Sequence, residues 1–366
     1  MKIAIVHDYL NQAGGAERVV GYLHEAFPDA PIYTSFYIKD EMPEKFNKME
    51  IRTSFMQRLP GLKKHFKKYL TFYPAAISSL DLRGYDMIIS SSSAWAKGIR
   101  KPKGSCHICY CHSPMRFVWM YEDYTKKENF GPILNASLPM LLKWIKNWDL
   151  RTNQGVDHFI ANSRTTADRI KTFYGRDSDV INPPVDTSFF KPYNSAVKDY
   201  YLIVSRLNTY KKIDLAISAF NKISAPLYVI GFGPDEARLR SIAGPNIKFL
   251  GKLKDEEIVR YYSECKALIL PGVEDFGLTP VEAQACGRPV IAFRGGGALE
   301  SIVEGRTGVF FDEQTEAALI STVKKLETMS FDSKAIRENA LRFDKEVFKK
   351  KIRDYVQNKY KEYVNK

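Results

Sequence analysis

The segment Ala267-Leu268-Ile269-Leu270-Pro271-Gly272-Val273-Glu274-Asp275-Phe276-Gly277-Leu278-Thr279-Pro280-Val281-Glu282-Ala283 runs from an apolar strand through a turn into a helix. Thr279 is the expected N-cap and Pro280 the first helical residue, which puts Glu282 third and makes Thr279 with Glu282 a capping box. A second reading gives Glu282 a ligand: a carboxylate has two acceptor oxygens, which suits the vicinal hydroxyls of a ribose. Glu274 has no capping role, and beside Asp275 in the turn it is expected to serve something other than the fold.

Outward from this segment, short apolar runs alternate with helix-period stretches along the whole chain of 366 residues. Strands are expected at Ile3 to His7, Ile32 to Ser35, Met87 to Ser90, His107 to Cys111, His158 to Ala161 and Val180 to Asn182. A second set covers Tyr201 to Ser205, Leu227 to Ile230, Lys248 to Leu250, Ala267 to Leu270, Val290 to Phe293 and Val309 to Phe311. Two repeats of β, α alternation imply an α/β chain of two Rossmann-like, doubly wound parallel sheets. Asn182-Pro183-Pro184-Val185-Asp186 marks a linker, because two prolines forbid a helix. The expected division is 1–183, 184–343 and a basic amphipathic terminal helix at 344–366, which closes the second domain or crosses back to the first. Ligands of such sheets bind beyond the C-terminal strand ends, so the chemistry is sought in the loops that follow strands.

Two further loops fit a phosphate. Gly295-Gly296-Gly297 follows the strand ending at Phe293 and opens a helix, so backbone N–H groups and the positive helix end are available to an anion. Arg206-Leu207-Asn208-Thr209-Tyr210-Lys211-Lys212 follows Tyr201 to Ser205 and supplies cations for a departing diphosphate. In the first half, Gly14-Gly15 lies between the first strand and a helix, and His112 follows a strand in Tyr110-Cys111-His112-Ser113-Pro114-Met115-Arg116.

The spacing Glu274-x7-Glu282 in its Phe-Gly-Leu-Thr-Pro setting, with Cys286-Gly287-Arg288-Pro289-Val290 and the triple glycine, resembles the signature of family 4 retaining glycosyltransferases of the GT-B fold. The resemblance covers nearly the whole chain and is strongest from Ser205 to Gly308. It implies two domains facing a central cleft, an acceptor-binding first domain and a nucleotide-sugar-binding second domain. It implies Glu282 on the ribose, Glu274 by the donor sugar with the amides of Phe276, Gly277 and Leu278, Arg206 and Lys211 on the diphosphate, and Gly295 to Gly297 beside it. It also implies His112 as a donor-sugar ligand near the reacting carbon, Gly14 and Gly15 at donor phosphate and acceptor, and Arg116 at the acceptor. Lys212 stands where many relatives carry glycine. His112-Ser113-Pro114-Met115-Arg116 looks most like bacterial mannosyltransferases of surface polysaccharide assembly, which implies GDP-mannose as donor, a lipid-linked glycan as acceptor, and neither metal nor other cofactor.

The net charge of +13 is concentrated: Arg52 to Lys103 and Arg342 to Lys366 hold +14 between them. Leu59 to Pro74 interleaves lysines with large apolar residues, which suits an anionic membrane surface better than nucleic acid. With no long apolar run and no signal-peptide core at Met1 to Asp8, the expected location is cytoplasmic, peripheral at the inner membrane face. Cys106, Cys109 and Cys111 read as a buried strand and not a zinc site, since no second ligand pair is spaced for one. Asp177-Ser178-Asp179 spells the Asp-x-Asp of metal-dependent transferases but precedes a strand, and Gly231-Phe232-Gly233 lacks the third glycine of a dinucleotide site. The alternatives are a UDP-sugar transferase, a nucleotide-sugar 2-epimerase sharing the fold, and a basic protein that binds membrane surfaces or nucleic acid without catalysis.

Overall fold

The structure, a computed structural model, describes residues 1–121 and 132–365. It divides the chain into two compact units, Met1–Asn182 with Phe348–Lys366, and Pro183–Val347.

The first unit holds a seven-stranded parallel sheet of β1 (Ile3–His7), β2 (Ile32–Thr34), β3 (Ile51–Thr53), β4 (Met87–Ser92), β5 (Cys106–Cys111), β6 (His158–Ala161) and β7 (Asp179–Val180). Its order is β3-β2-β1-β4-β5-β6-β7. The second unit holds a six-stranded parallel sheet of β8 (Tyr201–Val204), β9 (Leu227–Ile230), β10 (Ile247–Gly251), β11 (Leu268–Leu270), β12 (Val290–Phe293) and β13 (Gly308–Phe311), ordered β10-β9-β8-β11-β12-β13. Both are doubly wound, and the order reverses between β1 and β4 in one sheet and between β8 and β11 in the other.

Side chains alternate across each sheet because successive Cβ atoms point to opposite faces. In β8 and β11, Leu202, Leu268 and Leu270 fill one core while Tyr201, Ile203 and Ile269 fill the other. In β1 and β4, Ile5, Met87 and Ile89 oppose Ala4, Val6 and Ile88. Each of the buried Val, Leu, Ile and Met side chains among these contributes roughly 1.5–3 kcal/mol on burial. The three cysteines of β5 divide the same way, Cys106 to one face and Cys109 with Cys111 to the other, so this strand spends them on packing.

The terminal helix Lys345–Val364 returns to the first unit, where Phe348, Ile352 and Val356 bury completely beside Ile5 and Tyr110. Asp177 pairs with Lys171 at 2.7 Å and Asp179 accepts from the Tyr355 hydroxyl at 2.9 Å, so both outer residues of the Asp-x-Asp triplet are occupied within this unit. Among the described residues no helix is long and apolar enough to cross a membrane.

Candidate active site

In the second unit, three loops leave neighbouring strand ends: 205–212 after β8, 271–277 after β11 and 294–297 after β12. They are held together by backbone approaches that only glycine permits. A Cβ on Gly231 would lie 1.8 Å from the Ser205 carbonyl oxygen, and one on Gly233 would lie 2.4 Å from that of Leu207. The Gly-x-Gly that lacks a dinucleotide pattern therefore supports the loop carrying Arg206. A Cβ on Gly272 would come within 2.7 Å of the Lys211 carbonyl oxygen, and one on Gly297 within 2.1 Å of the Phe276 Cα.

Glu274 and Lys211 form an ion pair between two of these loops. Their side chains are 16% and 14% exposed, so the pair is sheltered yet open to a ligand. An ammonium carries three donors, which leaves Lys211 others for a second anion. Arg206 is exposed and its guanidinium has no partner among the described residues. Lys212 adopts a left-handed backbone (φ 55°), which explains why glycine suits that position.

Glu282 is buried and accepts a hydrogen bond from the Tyr262 hydroxyl at 2.8 Å. The capping box does not form. Gly277, at φ 82°, is the N-cap of the helix Leu278–Ala285, so the helix starts two residues early and Glu282 sits in its second turn. The amides of Phe276, Gly277 and Leu278 have no acceptor among the described residues, leaving donors beside Glu274. The triple glycine differs from the phosphate cradle read in the sequence. Gly295 donates to the Phe293 carbonyl at 2.8 Å and Gly297 to that of Glu274 at 2.9 Å, so only the Gly296 amide lacks an acceptor there. Its main work is to let the turn lie directly on the Glu274 loop.

In the first unit, Gly14 is the N-cap of the helix Gly15–Ala26, at the end of the 8–14 loop that follows β1, and Arg116 opens a short helix with its Nε 3.4 Å from the Ser113 hydroxyl. His112 follows β5, is buried, and its Nε2 lies 2.7 Å from the Ser91 hydroxyl. Burial, with His7 nearby, depresses its pKa to about 3, so the ring is neutral. His7, at the end of β1, has Nδ1 2.9 Å from the Ser91 carbonyl and 3.2 Å from its hydroxyl. Asp8 accepts four backbone N–H groups, from Ser93, Ala94, Trp95 and Ala96 at 2.6–3.0 Å, and so fixes the loop after β4. His7, Asp8 and Ser91 were not singled out by sequence reading. The signals were a His-Asp pair directly after the first strand and a run of serines, Ser90 to Ser93, in an otherwise apolar strand.

A family model described as Glycosyltransferase Family 4 matches residues 13–189, and one described as Glycosyl transferases group 1 matches residues 185–343. The D-inositol 3-phosphate glycosyltransferase of Acidothermus cellulolyticus is 27% identical over 224 residues, 51% of this chain and 50% of that protein. The alpha-1,3/1,6-mannosyltransferase ALG2 of Dictyostelium discoideum is 29% identical over 155 residues, 35% of this chain and 37% of that protein. The chain thus spans about half the length, or less, of the curated relatives it matches. Among solved structures, sucrose-phosphate synthase from Thermosynechococcus elongatus superposes with a TM-score of 0.77 at 17% identity, covering 98% of this chain and 99% of that one. Anabaena HepE in complex with UDP and glucose superposes at 0.74, also with 17% identity, 98% and 99% coverage. With the two models together spanning residues 13–343 and both sheets matching these structures, the chain belongs to the family 4 glycosyltransferases of the GT-B fold.

Proposed function

We propose that this protein transfers a hexosyl group from a nucleotide diphosphate sugar to a glycan acceptor, with retention at the anomeric carbon and without a metal ion. The observation that carries the reading is the Lys211–Glu274 pair, with Arg206, unpartnered among the described residues, on the same loop as Lys211, where adjacent strands β8 and β11 end at the reversal of strand order. Arg206 and Lys211 neutralise the diphosphate as the bond from C1 to its oxygen breaks, and no divalent cation is then required. Glu274 and the amides of Phe276 to Leu278 hold the sugar hydroxyls, and Glu282 takes the ribose. The acceptor hydroxyl attacks from the face the diphosphate leaves, and its proton passes to the departing phosphate oxygen.

GDP-mannose is the proposed donor. Support comes from the His112-Ser113-Pro114-Met115-Arg116 motif and from the match to the mannosyltransferase ALG2. The UDP and UDP-glucose complexes of HepE favour a second reading, in which the donor is a UDP-hexose. A thermal-shift panel of GDP-, UDP- and ADP-hexoses separates them. Stabilisation by GDP-mannose alone is expected; stabilisation by UDP-glucose alone would transfer the proposal to the second donor, and no shift with any would favour a binding protein.

The proposed acceptor is lipid-linked, reached by docking on the cytoplasmic face of an anionic membrane. The segment from Arg52 to Lys103 exposes Phe55 (43%) and Phe72 (44%) along with Lys63, Lys64, Lys67 and Lys68, a cationic and aromatic combination suited to a headgroup layer. Sedimentation with vesicles containing anionic lipid should carry down the parent chain and not a variant with those four lysines neutralised. Equal sedimentation of the two would reject this docking mode.

A further inference from the structure

The C-terminal ends of β1, β4 and β5 carry a continuous row of side chains, His7, Ser91 and His112, across the reversal of strand order in the first sheet. Its protons can be assigned from the partners alone. A backbone carbonyl only accepts, so His7 Nδ1, 2.9 Å from the Ser91 carbonyl oxygen, carries a hydrogen and donates it there. That nitrogen then has no lone pair for the Ser91 hydroxyl, 3.2 Å away, and can only share its hydrogen with it.

Ser91 is completely buried, and among the described residues its hydroxyl has one other neighbour, His112 Nε2 at 2.7 Å. If Nε2 carried a hydrogen, the Ser91 hydroxyl hydrogen would be left without an acceptor in a site closed to water. The hydroxyl must donate, and His112 Nε2 must accept. The neutral ring therefore bears its hydrogen on Nδ1, for which no partner exists among the described residues.

We propose that Ser91 is a positioning residue that locks His112 in the Nδ1–H tautomer, so that the ring presents a fixed hydrogen-bond donor, and not a proton acceptor, to a ligand at these strand ends. This rests on the glycosyltransferase reading for the identity of the ligand, but not for the tautomer. The depressed pKa of His112 agrees, since a ring that resists protonation keeps one donor and one acceptor throughout the neutral range. A fixed donor fits an oxygen ligand such as a sugar hydroxyl, and His112 then needs no proton transfer of its own.

Nitrogen-15 NMR of the full chain labelled at histidine tests the assignment without any substitution: His112 should show a protonated Nδ1 and an unprotonated Nε2 at pH 7. The opposite pattern would overturn the proposal. For the positioning role, Ser91→Ala should give a mixture of tautomers and lower kcat by about tenfold while leaving the Kd of the nucleoside diphosphate unchanged, and Ser91→Thr should restore both. A Ser91→Ala protein that keeps the Nδ1–H form, or keeps full kcat with altered tautomers, would overturn that role. Absence of transfer by the parent chain with every donor would instead overturn the glycosyltransferase reading, and the nitrogen shifts would still decide the tautomer.

Discussion

Each unit contains a sheltered lysine–carboxylate pair, Lys97 with Asp149 and Lys211 with Glu274, and the two are built differently. In the first unit Lys97 and Asp149 are 2% and 0% exposed and 2.9 Å apart. Asp149 also accepts from Trp119 Nε1 and the Tyr174 hydroxyl, both at 2.8 Å, while Lys97 donates to Thr152 at 3.0 Å and lies 4.8 Å from the centre of the Tyr174 ring. In the second unit Lys211 and Glu274 meet on loops at strand ends, with about one seventh of each side chain open, and Lys211 Nζ lies 5.1 Å from the centre of the Tyr210 ring. A buried pair is stable only when its remaining hydrogen-bonding groups are largely satisfied; in the first pair Trp119 and Tyr174 hold Asp149 Oδ2 and Thr152 holds Lys97, while Asp149 Oδ1 faces the ammonium alone. Neither side chain of the second pair has a further hydrogen-bond partner among the described residues. The first pair is closed within the fold, and the second leaves hydrogen-bonding groups that a ligand could take.

Substitutions should separate the two kinds. Lys97→Met leaves a carboxylate buried without its cation and should cost about 3–5 kcal/mol in urea unfolding followed by tryptophan fluorescence. A loss under 1 kcal/mol would show that the pair is not structural. Lys211→Ala should reduce transfer about 10²- to 10³-fold, the scale of one lost transition-state contact, with stability falling by about 1 kcal/mol. Full transfer in that variant would remove the functional half of the comparison.

Acidification should strike the first unit. Burial lowers the pKa of His107 to about 4, with its Nε2 on Ser90 at 2.8 Å. Between pH 6.5 and 4 the unfolded chain binds a proton that the folded one refuses, so stability falls with pH there, by up to about 1.4 kcal/mol per pH unit for this ring, and levels off above 6.5. A flat unfolding free energy across that window would contradict the neutral, buried ring. Tyr262→Phe removes the hydrogen bond to Glu282 and should raise KM for the nucleotide sugar about tenfold with little change in kcat. Smallest of all, Lys212→Gly should raise stability by roughly 0.5–1 kcal/mol by relieving a left-handed lysine.

The same contrast governs what could be read in the amino-acid sequence. The second unit spells its candidate site locally: Arg206 and Glu274 follow a strand within four residues, Lys211 and Glu282 within twelve, and the strands are strongly apolar. The row of His7, Ser91 and His112 in the first unit joins residues 84 and 21 positions apart, which only sheet pairing brings together. β3 is only three residues long, with exposed Arg52 between half-buried Ile51 and Thr53, and gives no periodic signal. The helix Pro132–Thr152 contains Pro139, which reads as a breaker, and Ser333–Leu341 is short and polar enough to pass for a loop. The apolar stripe of the terminal helix marks a buried face but not its partner, and the structure gives that partner as the first sheet's core. The Thr279 to Glu282 spacing matched a capping box because local pattern cannot register that Gly277 turns the chain with positive φ and begins the helix sooner.

The central claim is that Arg206 and Lys211 together form the diphosphate site of a nucleotide-sugar transferase. Calorimetric titration of GDP-mannose, and of UDP-glucose, into the parent chain and into Arg206→Ala tests it most directly. One saturable site for one of the two donors, weakened at least tenfold by the substitution, is the predicted result. Equal affinity in parent and variant, or no binding of either donor by the parent chain, would contradict it.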